Sequence, residues 1–232
     1  MFFLYQIILT LIIFFSPILI CFRIVKNKEH KTRYKEKFSI GIASRKRIKG
    51  NLIWFHGASV GEILSIIPLI ENYEKDYSIN QILITSSTLS SSKILEKFKF
   101  KKTIHQFYPI DHIYITSKFL TYWKPNIAIF IESEIWPCMF GELEKRKIPL
   151  ILLNARITKK TFARWMRLKT FTKKIFKKIT IAYPQNLETK SFLKKLQTNK
   201  IKNIGNLKFI ENNNEKYNKI NNKLIYLFKG KK

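Results

Sequence analysis

Apolar positions divide this chain into one long run at its start and a series of short runs separated by amphipathic stretches. Residues 2–22 are apolar except for Tyr5, Gln6, Thr10, Ser16 and Pro17, a length close to the ~20 residues that a membrane-crossing helix needs. From residue 51 onward, short β-rich runs alternate with helical patterns, the order expected of parallel βαβ units. The pattern predicts strands at 52–55, 81–85, 103–108, 126–131, 150–154, 179–183 and 202–204. Between them it predicts helices at 63–77, 91–98, 113–123, 137–146, 159–177 and 187–196. The expected fold is therefore α/β, a doubly wound parallel sheet preceded by an N-terminal transmembrane helix.

Composition sharpens the two ends of this picture. The chain has 232 residues and 46% hydrophobic content, enough for one well-packed domain. Its formal charge is +29, from 44 Lys+Arg against 15 Asp+Glu, which suits an anionic partner. No nucleic-acid-binding motif accompanies that charge, so an anionic membrane surface is the expected partner and nucleic acid is not. Two cysteines, Cys21 and Cys138, suggest neither a disulfide framework nor a metal cluster.

A cleaved signal peptide is the rival to a retained anchor. The apolar run lacks a basic segment before it and a small-residue cleavage site after it, which favours the anchor. Arg23, Lys26, Lys28, Lys31, Arg33, Lys35 and Lys37 follow at once, opposed by Glu29 and Glu36. The positive-inside rule then places the rest of the chain in the cytoplasm, on the inner membrane, and the same cluster can attract anionic headgroups. The expected division is an anchor at 1–22, a basic juxtamembrane linker at 23–50, the α/β domain at 51–210 and a tail at 211–232.

Candidate chemistry gathers where predicted strands end. In the stretch Trp54-Phe55-His56-Gly57-Ala58-Ser59-Val60-Gly61-Glu62 an apolar strand enters a small-residue loop, with Gly57 and Gly61 expected to free the backbone for a tight turn. Glu62 falls at a helix start, where a carboxylate serves either the helix dipole or a ligand site at the sheet's carboxyl edge. The hydroxyl run from Thr85 to Ser92 can cap the next helix or meet a polar ligand, and capping is the expected role. A further strand ends in Glu132-Ser133-Glu134-Ile135-Trp136-Pro137. Two carboxylates one residue apart on extended backbone are expected to point the same way. They can form a cation-binding or catalytic pair, or be a helix-start acid with a solvated companion. Arg156, just past another strand, is placed either for a phosphate or for pairing with nearby acids.

Residues 159–178 carry nine Lys/Arg and no acid, interleaved with large apolar side chains. This reads as one basic amphipathic helix, packed on the sheet, facing a membrane, or both. A strand end and glycine turn follow in Asn203-Ile204-Gly205-Asn206-Leu207-Lys208-Phe209, and the Asn/Lys-rich remainder reads as linker or tail.

Taken together, His-Gly-Ala-Ser-Val-Gly-Glu at 56–62, Glu-Ser-Glu-Ile-Trp-Pro at 132–137, Asn-Ala-Arg at 154–156 and Gly-Asn-Leu-Lys-Phe at 205–209 resemble, in order, the blocks of the Kdo transferases. These are membrane-associated glycosyltransferases that attach 3-deoxy-D-manno-octulosonic acid to lipid A precursors. One departure is Ser133, where the family motif has Thr. The resemblance implies the N-terminal half of a GT-B glycosyltransferase, a Rossmann-like acceptor-binding domain, with the C-terminal donor domain absent from this chain. It implies inverting, metal-independent transfer of Kdo from the donor substrate CMP-Kdo to lipid IVA, with no cofactor. By this resemblance Glu62 is the general base, and Glu132 and Lys208 stabilise the transition state. Ser59, Gly61, Glu134 and Arg156 bind substrate. A separately encoded donor-binding half would be a further partner, and a non-catalytic lipid A precursor-binding module is the alternative.

Overall fold

The computed structural model describes residues 2–42 and 46–203. Six strands form one parallel sheet: β1 (Leu52–His56), β2 (Gln81–Ser86), β3 (Thr103–Phe107), β4 (Ile127–Ile131), β5 (Leu150–Ala155) and β6 (Ile181–Pro184), in the order β3-β2-β1-β4-β5-β6. Every neighbouring pair is parallel, with Phe55 level with Ile84 on one side and Ile129 on the other. Strand order reverses between β1 and β4. In such Rossmann-like sheets the crevice beyond the strand ends at that reversal is the ligand-binding position.

The central strands β1, β4 and β5 are near-continuous apolar runs because both their faces are covered, whereas edge strand β3 is half polar. Ile53 and Phe55 pack on one side against Ile63, Ile66 and Ile70 of helix α2 (Val60–Lys75). Helix α3 (Leu89–Leu95) adds Leu95 to that side. Leu52 and Trp54 point to the opposite side. There they meet Phe119 and Trp123 of α4 (Ile113–Trp123) and Phe140 of α5 (Pro137–Lys145). Trp54 is fully buried among Phe119, Phe130 and Tyr108, at centroid distances of 4.9, 5.1 and 6.2 Å. Fully burying one large side chain of this kind is worth about 2–3 kcal/mol, so this cluster fixes β1 firmly under the crevice.

The basic segment expected as one helix is two, α6 (Lys159–Met166) and α7 (Lys169–Phe176), broken at Leu168 with φ −115° and ψ 46°. The reason lies in the apolar phase. Phe162, Trp165 and Met166 share one side of a helix, but at ~100° per residue Phe171 and Ile175 fall on another. A break lets both groups reach the same core. Helix α8 (Leu187–Lys195) closes the described domain. The expected seventh strand at 202–204 does not form over its described part: a single parallel bridge joins the preceding Ile201 to Ala182, residues 202 and 203 are irregular, and residue 204 lies outside the described residues.

The N-terminal run forms helix α1 (Phe2–Val25), long and apolar enough to cross a membrane. The segment after it is anchored to the domain. A 3-10 turn at Arg33–Phe38 buries Glu36, whose carboxylate binds Arg33 at 2.9 Å and accepts the Phe107 N–H at 2.9 Å.

Candidate active site

The loop from β1 to α2 is shaped by side chains that cap the helix. Ser59 is the N-cap, its hydroxyl oxygen accepting the Glu62 N–H at 3.3 Å. Glu62 folds back over the same turn. Its carboxylate accepts the Ala58 N–H at 2.7 Å and the Ser59 hydroxyl proton at 3.0 Å, a variant of the reciprocal capping box. The fold-back favours a glycine at 57, because a Cβ there would lie 3.1 Å from the Glu62 Cβ and 3.3 Å from the Ile63 Cδ1, so both would have to give way by a few tenths of an ångström. Gly61 plays a different part from the one its sequence suggested. It sits inside α2 with open space around it, so it leaves the surface beside Glu62 bare instead of making the turn.

Burial is the first influence on the Glu62 carboxyl and pushes its pKa up; the Ala58 N–H opposes this, and the charge of Glu134 adds to it. The Ser59 hydroxyl opposes it again and Glu132 raises it further, leaving a net upward shift. A carboxylate raised in this way is a stronger base than an exposed one. The helix dipole alone would have weakened it as a base.

Glu132 and Glu134 reach the same crevice from the end of β4, but not along extended backbone. Glu132 has φ 57° and starts a turn, so alternation along a strand does not set the direction of the two acids. Asn154, at the end of adjacent β5, is also left-handed, with φ 53°. Such conformations cost non-glycine residues about 1–2 kcal/mol and concentrate at functional sites. The surrounding bonds hold them: Glu132 N–H donates to the Leu153 carbonyl at 2.9 Å and its own carbonyl accepts the Arg156 N–H at 3.3 Å. The Ser133 hydroxyl donates to the Arg156 carbonyl at 2.6 Å.

Glu134 is aimed by a chain of hydrogen bonds rooted in the core. His56, fully buried, places Nε2 3.1 Å from the Glu134 carboxylate and Nδ1 3.0 Å from the Thr85 hydroxyl. Trp54 Nε1–H donates to that hydroxyl at 2.9 Å, and Nδ1 also lies 3.1 Å from the Thr85 carbonyl. An ionised carboxylate only accepts, so the imidazole faces Glu134 with a protonated Nε2. Trp136 Nε1–H donates to the same carboxylate oxygen at 2.9 Å. The imidazole is clamped by Tyr108, stacked at 3.8 Å, and by Phe130, edge-on at 5.0 Å. His56 and Trp136 were not singled out from the sequence as site residues. The available signal was a histidine ending an otherwise apolar strand.

Glu62, Ser59, Gly61, Glu132 and Glu134 thus share the rim between β1 and β4. Arg156 lies at the end of β5, its side chain exposed to solvent. Lys208 lies outside the described residues. The hydroxyl run serves mainly as expected: Thr88 caps α3, accepting the Ser91 N–H at 3.2 Å. Cys21 and Cys138 are both free thiols. Among the described residues no cluster of three or more His, Cys, Asp or Glu is placed to hold a metal ion.

In overall fold the chain is similar to the UDP-GlcNAc 2-epimerase of Neisseria meningitidis, at a TM-score of 0.50 and 14% identity over 67% of this chain and 47% of that one. In sequence it is 41% identical over 182 residues to the 3-deoxy-D-manno-octulosonic acid transferase of Rickettsia felis, covering 77% of this chain and 39% of the relative. It is 27% identical to the enzyme of that name from Haemophilus influenzae, covering 89% of this chain and 49% of the relative. The chain therefore spans less than half the length of these relatives. Residues 32–211 match the family described as 3-deoxy-D-manno-octulosonic-acid transferase (kdotransferase). That match takes in the crevice and all four sequence blocks, and the chain belongs to the Kdo transferase family of glycosyltransferases.

Proposed function

We propose that this chain is the acceptor-binding portion of a Kdo transferase that moves Kdo from CMP-Kdo to a lipid A precursor of the lipid IVA type. Glu62 is the general base. It takes the proton from an acceptor sugar hydroxyl as that oxygen attacks the anomeric carbon of Kdo, and CMP leaves as an anion with inversion. Neither a metal nor a cofactor takes part in this scheme. Glu132 organises the rim, and Lys208 with Arg156 supplies positive charge for the phosphates and the departing nucleotide. Ser59, the bare surface at Gly61, and Glu134 line the acceptor side.

The observation that carries this reading is the placement of Glu62. It lies at the strand-order reversal, partly desolvated and beside two other carboxylates, in a member of a family of glycosyl transfer enzymes. Donor binding falls to a second Rossmann-like half, separately encoded or joined to this segment in a longer chain. The domain works on the cytoplasmic face of the inner membrane, held by α1 and by anionic lipid around its basic surface, with no nucleic-acid partner.

The test is transfer of radiolabelled Kdo to lipid IVA by this chain supplied with a donor-binding half. Glu62→Gln should abolish turnover while lipid IVA binding persists. Undiminished transfer by that variant would remove the general-base assignment. If lipid IVA binds but the wild-type pair transfers nothing, the chain is a lipid A precursor-binding module.

A further inference from the structure

The polar residues that interrupt the apolar run of α1 are the ones that bind it to the domain. Tyr5 donates to the buried Asp111 carboxylate at 2.8 Å, and that carboxylate also accepts the N–H groups of Cys138 and Met139 at 3.0 and 2.8 Å. Gln6 donates to the Cys138 sulfur at 2.6 Å and accepts the Ile113 N–H at 3.4 Å. Thr10 meets His112 at 3.4 Å. At the opposite end Ser16 is buried, and Pro17, Ile20 and Ile24 line an apolar groove with Tyr34 and Phe38. Arg23 and Lys37 share Glu29, at 3.2 and 2.6 Å. One stripe of α1 is therefore seated on the domain from Tyr5 to Ile24, a length of about 29 Å at 1.5 Å per residue. The remaining surface is apolar and exposed, with Phe3, Phe14 and Ile18 at 77%, 76% and 70%.

This docking conflicts with an upright helix. Were α1 to cross the ~30 Å hydrocarbon layer with Arg23 on the cytoplasmic side, Tyr5 and Gln6 would stand near the far side. Their partners would have to follow: Asp111, the start of α5, and α7, whose Phe171 ring lies 6.5 Å from that of Tyr5. Lys174 of α7 and Lys178, two residues past its end, line one groove with Phe2 and Phe171. Each such charge in hydrocarbon costs about 3 kcal/mol, and the irregular backbone around Asp111 would be left facing lipid. Laid in the membrane plane, α1 puts its exposed apolar side into the acyl boundary and keeps the whole domain in water. Cations then lie at headgroup level at both ends, Arg23, Lys26 and Lys28 at one and Lys174 and Lys178 at the other. A lipid surface is the occupant that matches an apolar ridge with a positive border at each end.

We infer that α1 lies in the plane of one leaflet as a docked ridge of the domain, so that the protein enters the membrane from one side without crossing it. The inference rests on the reading that this protein works at an anionic cytoplasmic membrane face. It gives α1 a second task beyond tethering: it fixes how the domain sits against the lipid surface from which the acceptor comes.

The test uses the full chain with both native cysteines replaced by serine and single cysteines at Phe3, Phe14 or Phe22, each carrying an NBD fluorophore. The protein is added to preformed vesicles containing phosphatidylglycerol. An in-plane helix gives similar shallow quenching depths at all three positions, and external dithionite, which does not cross bilayers, reduces the probes at Phe3 and Phe22 together. Deep burial of Phe14 with protection of Phe3 alone would overturn the inference and establish a spanning helix. Failure of the chain to float with the vesicles would overturn the membrane reading on which it rests.

Discussion

The crevice and the basic α6–α7 surface put opposite charges to use in opposite ways. At the crevice, Glu62, Glu132 and Glu134 converge in a chain whose net charge is +29, and neighbouring groups direct Glu62 and Glu134. On the basic surface Lys159 and Lys169 are exposed, and the ion pairs present, Lys159 with Glu188 and Lys178 with Glu144, involve exposed carboxylates. Hydrogen-bonded, partly buried charge is costly and directional, so it marks chemistry. Exposed charge is cheap and screened, so it attracts a surface without specifying a ligand.

The largest expected effect separates the two regions outright. With a donor-binding half present, Glu62→Gln should lower transfer by about 100- to 10,000-fold, the range that a lost general base removes, with lipid IVA affinity changed less than about twofold. Steady-state kinetics beside lipid binding checks this, and a loss confined to KM would assign Glu62 to binding alone.

Changing Lys173, Lys174, Lys177 and Lys178 to Gln tests the other side. At about 1 kcal/mol per lysine near an anionic surface, vesicle affinity should fall by up to about 4 kcal/mol at low salt, with the loss shrinking as salt rises. Folding stability should hardly move. Co-sedimentation with anionic and neutral vesicles reads the difference, and equal binding to both would leave these lysines as a solvated face.

His56→Ala should behave in the reverse sense, since the imidazole is buried between Tyr108 and Phe130 and aims Glu134. A loss of about 3 kcal/mol in urea unfolding is expected from the cavity and the broken chain, with vesicle binding unchanged. A loss within ~0.5 kcal/mol would mean that Trp136 alone orients the carboxylate.

The smallest effect is a displacement along the pH axis. Burial and the neighbouring acids raise the pKa of Glu62, and a base works only when unprotonated. The acid limb of kcat should therefore lie above the ordinary glutamate range. Glu134→Gln removes one of the charges that raise it, so the limb should move to lower pH. A limb that moves up, or stays, would show that Glu134 does not act on Glu62 through its charge.

Most of the architecture was legible in the chain itself. Six of the expected strands appear within two residues of their expected bounds, because buried parallel strands are apolar on both faces and their loops are marked by polar residues and turn formers. The strand–loop–helix layout at 56–62 was readable for the same reason, but Gly61 falls inside α2 instead of in the turn, and the role of Glu62 stayed open until the family resemblance was added. What the sequence pattern missed arose between distant segments. The link from His56 to Glu134 spans 78 residues and exists only because β1 and β4 become neighbours at the strand-order reversal. The left-handed turn at Glu132 likewise departs from local preference and is held by β5. The polar interruptions of α1 read alone as tolerated breaks in a membrane span, yet Tyr5 meets Asp111, 106 positions away. Local pattern determined which segments are strands and helices, because burial periodicity is a property of neighbours in sequence. Tertiary structure alone decided which acids share a crevice and where α1 rests, because hydrogen bonds and desolvation depend on neighbours in space.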